Sequence, residues 1–186
     1  MTDATVLIVP GLRDHVAGHW QTLLGARLPR ARTVPPMGRR DLDCGMRLAA
    51  IEREAGAIRG PVVLVAHSGG AVMVAHWARR TRRRIEGALL ATPPDFERPM
   101  PAGYPEMDAL AAHGWLPVPR DPLPFPSIVA ASRNDPLGRF DRVAALARAW
   151  GSRLVDLGDV GHLNPASGYG DWRGADALIA ELVTIH

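Results

Sequence analysis

The sequence predicts an α/β protein built on a mostly parallel sheet, and three observations carry that expectation. Short, fully apolar runs such as Val6-Leu7-Ile8-Val9 and Val62-Val63-Leu64-Val65 recur along the chain. Longer segments of helical length separate them, and Pro or Gly marks many junctions, as at Pro10-Gly11. A run that is apolar at every position fits a strand covered on both faces, and strand–helix alternation is the pattern of crossover connections.

The elements follow in order. The run at 6–9 is a buried strand stopped by Pro10-Gly11, and a helix over about 18–28 is closed by Pro29. Residues 31–34 form a short edge strand before Pro35-Pro36. Asp41 or Asp43 caps a helix that carries Met46, Leu48, Ile51 and Ile58 on its apolar side. Pro61 opens the strand at 62–65, the most apolar run and the expected centre of the sheet, and a helix over about 70–80 follows within a few residues. Strands are expected at 88–90, 127–131 and 153–155, a helix at 137–150 between the last two, and a closing helix at 175–183. The stretch 92–126 holds ten of the 17 prolines. It is too long for a plain connection, and it either shapes a pocket or makes a stiff surface excursion.

With 186 residues, 47% of them hydrophobic and 22% charged, the chain is expected to form one domain over 1–186. Its formal charge is +3 and its pI about 9.9, because all 22 basic residues are Arg. That excess is too small to argue for a nucleic-acid partner, and an Arg-, Ala- and Pro-rich composition fits the coding bias of a GC-rich genome. The run Arg79-Arg80 and Arg82-Arg83-Arg84 has no interleaved aromatics, so it reads as a solvated helix end. Cys44 is the one cysteine, which excludes an internal disulfide or a cysteine metal cluster. Met1 to Thr5 carry no basic-plus-apolar signal, and no stretch approaches the roughly 20 apolar residues that cross a bilayer. The expectation is a soluble cytoplasmic protein without a membrane partner. No His/Asp/Glu grouping has metal-ligand spacing and no Gly-rich phosphate loop occurs, so neither metal nor cofactor is expected.

The chemistry lies in Val62-Val63-Leu64-Val65-Ala66-His67-Ser68-Gly69-Gly70. A strand, a sharp turn and a helix in that order present the central hydroxyl at the top of the sheet. The positions two before and two after the serine must be small, and Ala66 and Gly70 are. Capping of the helix is the plain structural alternative for Ser68.

A serine nucleophile needs a base, and the base an orienting acid, which follow such an elbow in the chain order Ser, acid, His. Of the later histidines, His76 sits on the helix beyond the serine, His113 in the Pro-rich stretch and His186 at the terminus. His162, in the Gly-Asp-Val-Gly-His loop after the last strand, is the candidate base. Asp135, in Ser132-Arg133-Asn134-Asp135-Pro136, is the candidate acid, with helix capping as its other role. Asp156 and Asp159 compete from the wrong side of the last strand. Two backbone amides are expected to hold the oxyanion, Gly69 after the serine and Leu12 in the turn after the first strand.

Several stretches together resemble the small bacterial serine hydrolases related to retinoblastoma-binding protein 9, the YdeN-like group. They are Pro10-Gly11 with Gly18-His19-Trp20-Gln21; Ala66-His67-Ser68-Gly69-Gly70; Pro122-Leu123-Pro124-Phe125-Pro126; Ala131 to Pro136; and Gly161-His162-Leu163-Asn164 with Ser167-Gly168-Tyr169-Gly170 and Trp172. The resemblance implies a three-layer α/β-hydrolase fold with a six-stranded, mostly parallel sheet and no cap domain. It also implies a Ser-Asp-His triad acting on esters or related acyl compounds. The chain departs from the group in a glycine-poor loop, Leu12-Arg13-Asp14-His15, and in a long Ala102 to Gly114 region able to reach over the site.

The sequence therefore leads to a serine hydrolase that cleaves small carboxylic esters or thioesters through an acyl-enzyme. Phe96, Tyr104 and Trp115 are the expected pocket liners. A vestigial hydrolase-fold interaction module is the alternative, and a complete Ser, Asp and His set argues against it. An RNA-associated protein using the Arg run ranks below both.

Overall fold

The computed structural model describes residues 4–184. Met1 to Asp3 and His186, weighed above, lie outside the described residues. Six strands form one sheet in the order β2-β1-β3-β4-β5-β6: β1 Thr5–Val9, β2 Ala31–Thr33, β3 Val62–His67, β4 Gly87–Ala91, β5 Ser127–Ala131 and β6 Arg153–Asp156. Every pairing is parallel, so the sheet is wholly rather than mostly so.

Alternation along the strands explains their apolar sequences. Leu7, Val9, Leu64 and Leu90 face α2 (Cys44–Gly56), α3 (Gly69–Ala78) and α5 (Phe140–Ala149). Ile8, Val63, Val65 and Leu89 face α1 (Trp20–Arg27) and α6 (Gly174–Thr184). Both faces are covered, so no strand position of β3 or β4 can be polar at low cost. No helix among the described residues is long and apolar enough to cross a membrane.

Two expectations need correction, and one choice is settled. Met46 is 58% exposed and Ile58 lies beyond the end of α2; the inner face of that helix is instead Cys44, Arg47, Leu48, Ile51 and Ala55. Arg47 is tolerated in the interior because its guanidinium donates to the Gly38 and Asp41 carbonyls. Within the irregular stretch a short helix, α4 (Met107–Ala112), packs Leu110 into the core. The capping residue of α2 is Asp43, which accepts from the Met46 amide at 2.8 Å.

The chain moves outward from β1 to β2 and then back across β1 to β3. The carboxyl ends of β1 and β3 therefore open a crevice, the usual place for a site in such a sheet. Gln21, fully buried, donates to the Val9 and Val65 carbonyls at 3.2 and 3.0 Å and fastens these two strand ends together.

Candidate active site

Ser68 sits at the β3–α3 junction with φ 56° and ψ −132°, a conformation that costs a non-glycine residue of order 1–3 kcal/mol. The surroundings hold it there. Its amide donates to the Ala91 carbonyl at 2.9 Å, and its own carbonyl receives the Ala71 amide at 2.9 Å. A Cβ on Gly70 would stand 2.8 Å from the Pro10 carbonyl oxygen, so the strand β1 exit runs directly against the start of α3. This is the physical reason for the small residue two places after the serine.

The three distant side chains named from chain order come together. His162 Nε2 lies 2.8 Å from Ser68 Oγ, and His162 Nδ1 lies 2.8 and 3.0 Å from the two carboxylate oxygens of Asp135. A carboxylate only accepts, so Nδ1 carries the hydrogen and Nε2 is left to accept from the serine hydroxyl. Asp135 is 8% and His162 4% exposed. Asp135 also accepts from the Leu137 amide at 2.8 Å, which closes a turn and does not cap a helix, since α5 begins at Phe140 with Arg139 at its N-cap.

The loops bearing the acid and the imidazole are laced to each other. The Arg133 amide donates to the Gly158 carbonyl at 2.8 Å, the Gly161 amide to Asn134 Oδ1 at 2.6 Å and the Val160 amide to Ser132 Oγ at 3.2 Å. The Ser167 hydroxyl receives the His162 amide and donates to Asn164 Oδ1, each at 3.0 Å. Leu163, fully buried at φ 48°, anchors the loop just beyond the imidazole.

Leu12 and Gly69 also meet. A Cβ on Gly69 would lie 3.6 Å from the Leu12 nitrogen, which places the turn after β1 against the first residue of α3. As the first helical amide, Gly69 has no carbonyl a turn earlier to bond.

A cavity of about 250 Å³ opens beside Ser68 and His162. Phe96 and Tyr104 line it together with Met100 and Pro105, so the Pro-rich stretch does reach the site. Trp115 does not line it. It is fully buried behind Phe96, edge to face at 5.4 Å, and its Nε1 donates to the Leu42 carbonyl at 2.7 Å. A large aromatic with an available backbone acceptor beneath it is core here, not wall.

Arg13, Arg39 and His67, to which sequence assigned no role in the site, line the cavity, as does His19, expected there as a packing residue able to touch a substrate. His67 donates from Nε2 to the His162 carbonyl at 2.9 Å and lies between the rings of His19, edge-on at 4.8 Å, and His162, tilted at 5.0 Å. Burial, with the neighbouring imidazoles adding to it, holds His67 well below the usual histidine range. His19 caps α1 through Nδ1, which accepts from the Gln21 amide at 3.2 Å, and burial pulls its pKa to about 3. Position was the available signal: His67 immediately precedes the serine, and His19 follows the first-strand turn.

The remaining candidates go elsewhere. His76 pairs with the Trp115 carbonyl at 3.0 Å, and Asp156 pairs with Arg133 at 2.6 Å. Burial pushes the Cys44 thiol up to about 11, so it is not a thiolate. From the Arg run, Arg79 pairs with Asp121 and Arg84 with Glu86, while Arg83 donates to the Ile58 and Gly60 carbonyls. Among the described residues no group of three His, Cys, Asp or Glu could hold a metal ion.

Comparison with known proteins gives one family. The family model described as serine hydrolase matches residues 6–181. A YdeN-like hydrolase from Pectobacterium atrosepticum is 33% identical, with a TM-score of 0.80 over 98% of this chain and 91% of that one. The ydeN product of B. subtilis is 17% identical, with a TM-score of 0.69 over 96% and 98% of the two chains. A hydrolase of the α/β superfamily from Xanthomonas campestris is 23% identical, with a TM-score of 0.65 over 98% of each. No curated protein matches the chain.

Proposed function

Because the chain belongs to the serine hydrolase family, we propose that it cleaves small carboxylic esters or thioesters through an acyl-enzyme formed on Ser68. The observation that carries this reading is the unbroken run of contacts from Ser68 Oγ to His162 Nε2 at 2.8 Å and from His162 Nδ1 to Asp135 at 2.8 Å.

Ser68 Oγ attacks the carbonyl carbon as its proton passes to His162 Nε2. Asp135 fixes the tautomer and stabilises the imidazolium that results. The Leu12 and Gly69 amides donate to the oxyanion, each worth about 3 kcal/mol of barrier. The intermediate collapses when His162 returns the proton to the departing alcohol or thiol. Water then attacks the acyl-enzyme by the same route and frees the acid. His67, neutral and donating to the His162 carbonyl, holds the loop that carries the base.

Cavity size supports a small substrate. About 250 Å³ is near the lower bound for ligand pockets. Apolar walls from Leu12, Phe96 and Leu137 suit a short acyl chain.

Labelling with a fluorophosphonate tests the proposal directly. Wild-type protein should be labelled on Ser68, Ser68→Ala should not, and ester turnover should fall by about 10⁶-fold in that variant. Labelling that persists in Ser68→Ala would remove the serine from this role.

A further inference from the structure

The cavity wall carries two arginines and no acid, since Arg13 and Arg39 line it and no Asp or Glu does. Arg39 is engaged: its Nε donates to the Leu12 carbonyl at 3.1 Å, its Nη1 to the Gly103 carbonyl at 2.9 Å, and its guanidinium lies 4.5 Å over the Tyr104 ring. Arg13 is not. Its Nη1 donates to the adjacent Asp14 carbonyl at 3.1 Å, its Nη2 stands 3.5 Å from His19 Nδ1, and its Nε is buried with no partner.

Several arginines of this protein pair with a carboxylate. Arg27 has Asp171 and Asp176, Arg32 has Glu54, and Arg142 has Asp95 and Glu97. Among the described residues Arg13 has none within ion-pair distance. Burial alone draws its pKa down to about 10 and no acid offsets it, yet it remains a cation at neutral pH.

His19 adds a donor at the same end. Its Nδ1 accepts from the Gln21 amide, so in the neutral ring Nε2 bears the hydrogen, and that atom is buried without an acceptor. Arg13 Nε and His19 Nε2 are thus two donors without acceptors near the serine, and the one unpartnered acceptor among the cavity histidines is His67 Nδ1. A cation packed against apolar surface is ordinarily matched by an acid, and the cavity wall offers Arg13 none.

We propose that this end of the cavity selects esters bearing a second, free carboxylate, with Arg13 gripping it and Arg39 and His19 beside it. The assignment rests on the serine hydrolase reading above. A carboxylate is the fitting anion because the Arg13 guanidinium holds no carboxylate of this chain, and its planar donor set matches a planar, singly charged group. Apolar walls concentrate the field of the two cations and draw such a substrate in.

Two matched ester pairs test this in the wild-type protein. The p-nitrophenyl monoester of adipic acid is compared with p-nitrophenyl hexanoate, which places the charge on the acyl half. The 3-carboxypropyl ester of hexanoic acid is compared with butyl hexanoate, which places it on the alcohol half. One pair should show kcat/KM higher for the carboxylate by about tenfold to a hundredfold, the usual range for a hydrogen bond to a charged group. That ratio should shrink with rising ionic strength, fall toward one in Arg13→Gln and recover in part in Arg13→Lys. The wild-type ratios decide the matter even if Arg13→Gln does not fold. Indifference to the carboxylate in both pairs, with turnover still dependent on Ser68, overturns this assignment and leaves the hydrolase reading intact. Turnover that survives Ser68→Ala overturns the hydrolase reading and this assignment with it.

Discussion

The imidazole of His67 donates from Nε2 to the backbone carbonyl of His162 at 2.9 Å. The residue before the proposed nucleophile thereby holds the loop of the proposed base. It does so as a neutral ring, because burial suppresses its protonation. Neutrality matters, since a second imidazolium 5.0 Å from His162 would oppose the charge that develops there.

Replacing His67 with Phe keeps an aromatic ring but removes the donor. The orphaned His162 carbonyl should lower stability by about 1–3 kcal/mol. The looser imidazole should slow acylation by about tenfold to a hundredfold, with KM little altered. Denaturant unfolding and stopped-flow acylation with a p-nitrophenyl ester read both. Acylation at the wild-type rate would remove His67 from any positioning role.

Asp135→Asn separates the two roles of that carboxylate. The amide oxygen can still accept from the Leu137 amide, so the melting temperature should change little. The amide nitrogen cannot accept from His162 Nδ1–H, and the wrong tautomer should lower kcat by about 10⁴-fold. Asp135→Ala should lose kcat and stability together. Equal melting temperatures for the two variants would show that the Leu137 contact contributes nothing.

Two buried imidazoles set an acid limit on stability. His19 titrates at about 3 and His67 well below 6.5 in the folded protein, while both return to about 6.5 when unfolded. Above that value neither ring affects stability. Below it the unfolded chain takes up protons that the folded one refuses, so stability falls as pH falls, by about 1.4 kcal/mol per pH unit for each ring. Unfolding free energies measured between about pH 7.5 and about pH 4.5 should show the slope, and His19→Asn, which can still cap α1 but cannot titrate, should flatten it by one ring's share. A profile unchanged in that variant would count against His19.

Phe96 and Trp115 touch each other but should fail differently. Phe96→Ala opens the cavity wall and should raise KM for apolar acyl chains. Trp115→Ala empties a fully buried site and should cost about 3–5 kcal/mol, a melting shift on the order of 10 °C for a chain this size. Differential scanning calorimetry beside ester kinetics distinguishes them. A thermally silent Trp115→Ala would contradict its place in the core.

Much of the fold is written locally. Runs apolar at every position announce strands covered on both faces, and β5 falls on residues 127–131 as those residues require. Ser68, Asp135 and His162 were each marked by something close at hand: a strand–turn–helix junction, a loop before proline, a glycine-flanked loop after the last strand. Met46 misled because helical spacing fixes which residues share a face without fixing which face meets the sheet. Trp115 misled because an aromatic in an irregular stretch carries no sign of what lies beneath it.

Short-range pattern was enough to reveal the strands, the helices between them and three residues whose chain order suits a serine hydrolase. Packing alone brings His67 to the His162 backbone across 95 positions and leaves Arg13 without an acid in the cavity wall. Such facts are distances between segments brought together by packing, and no local pattern in either segment encodes the other.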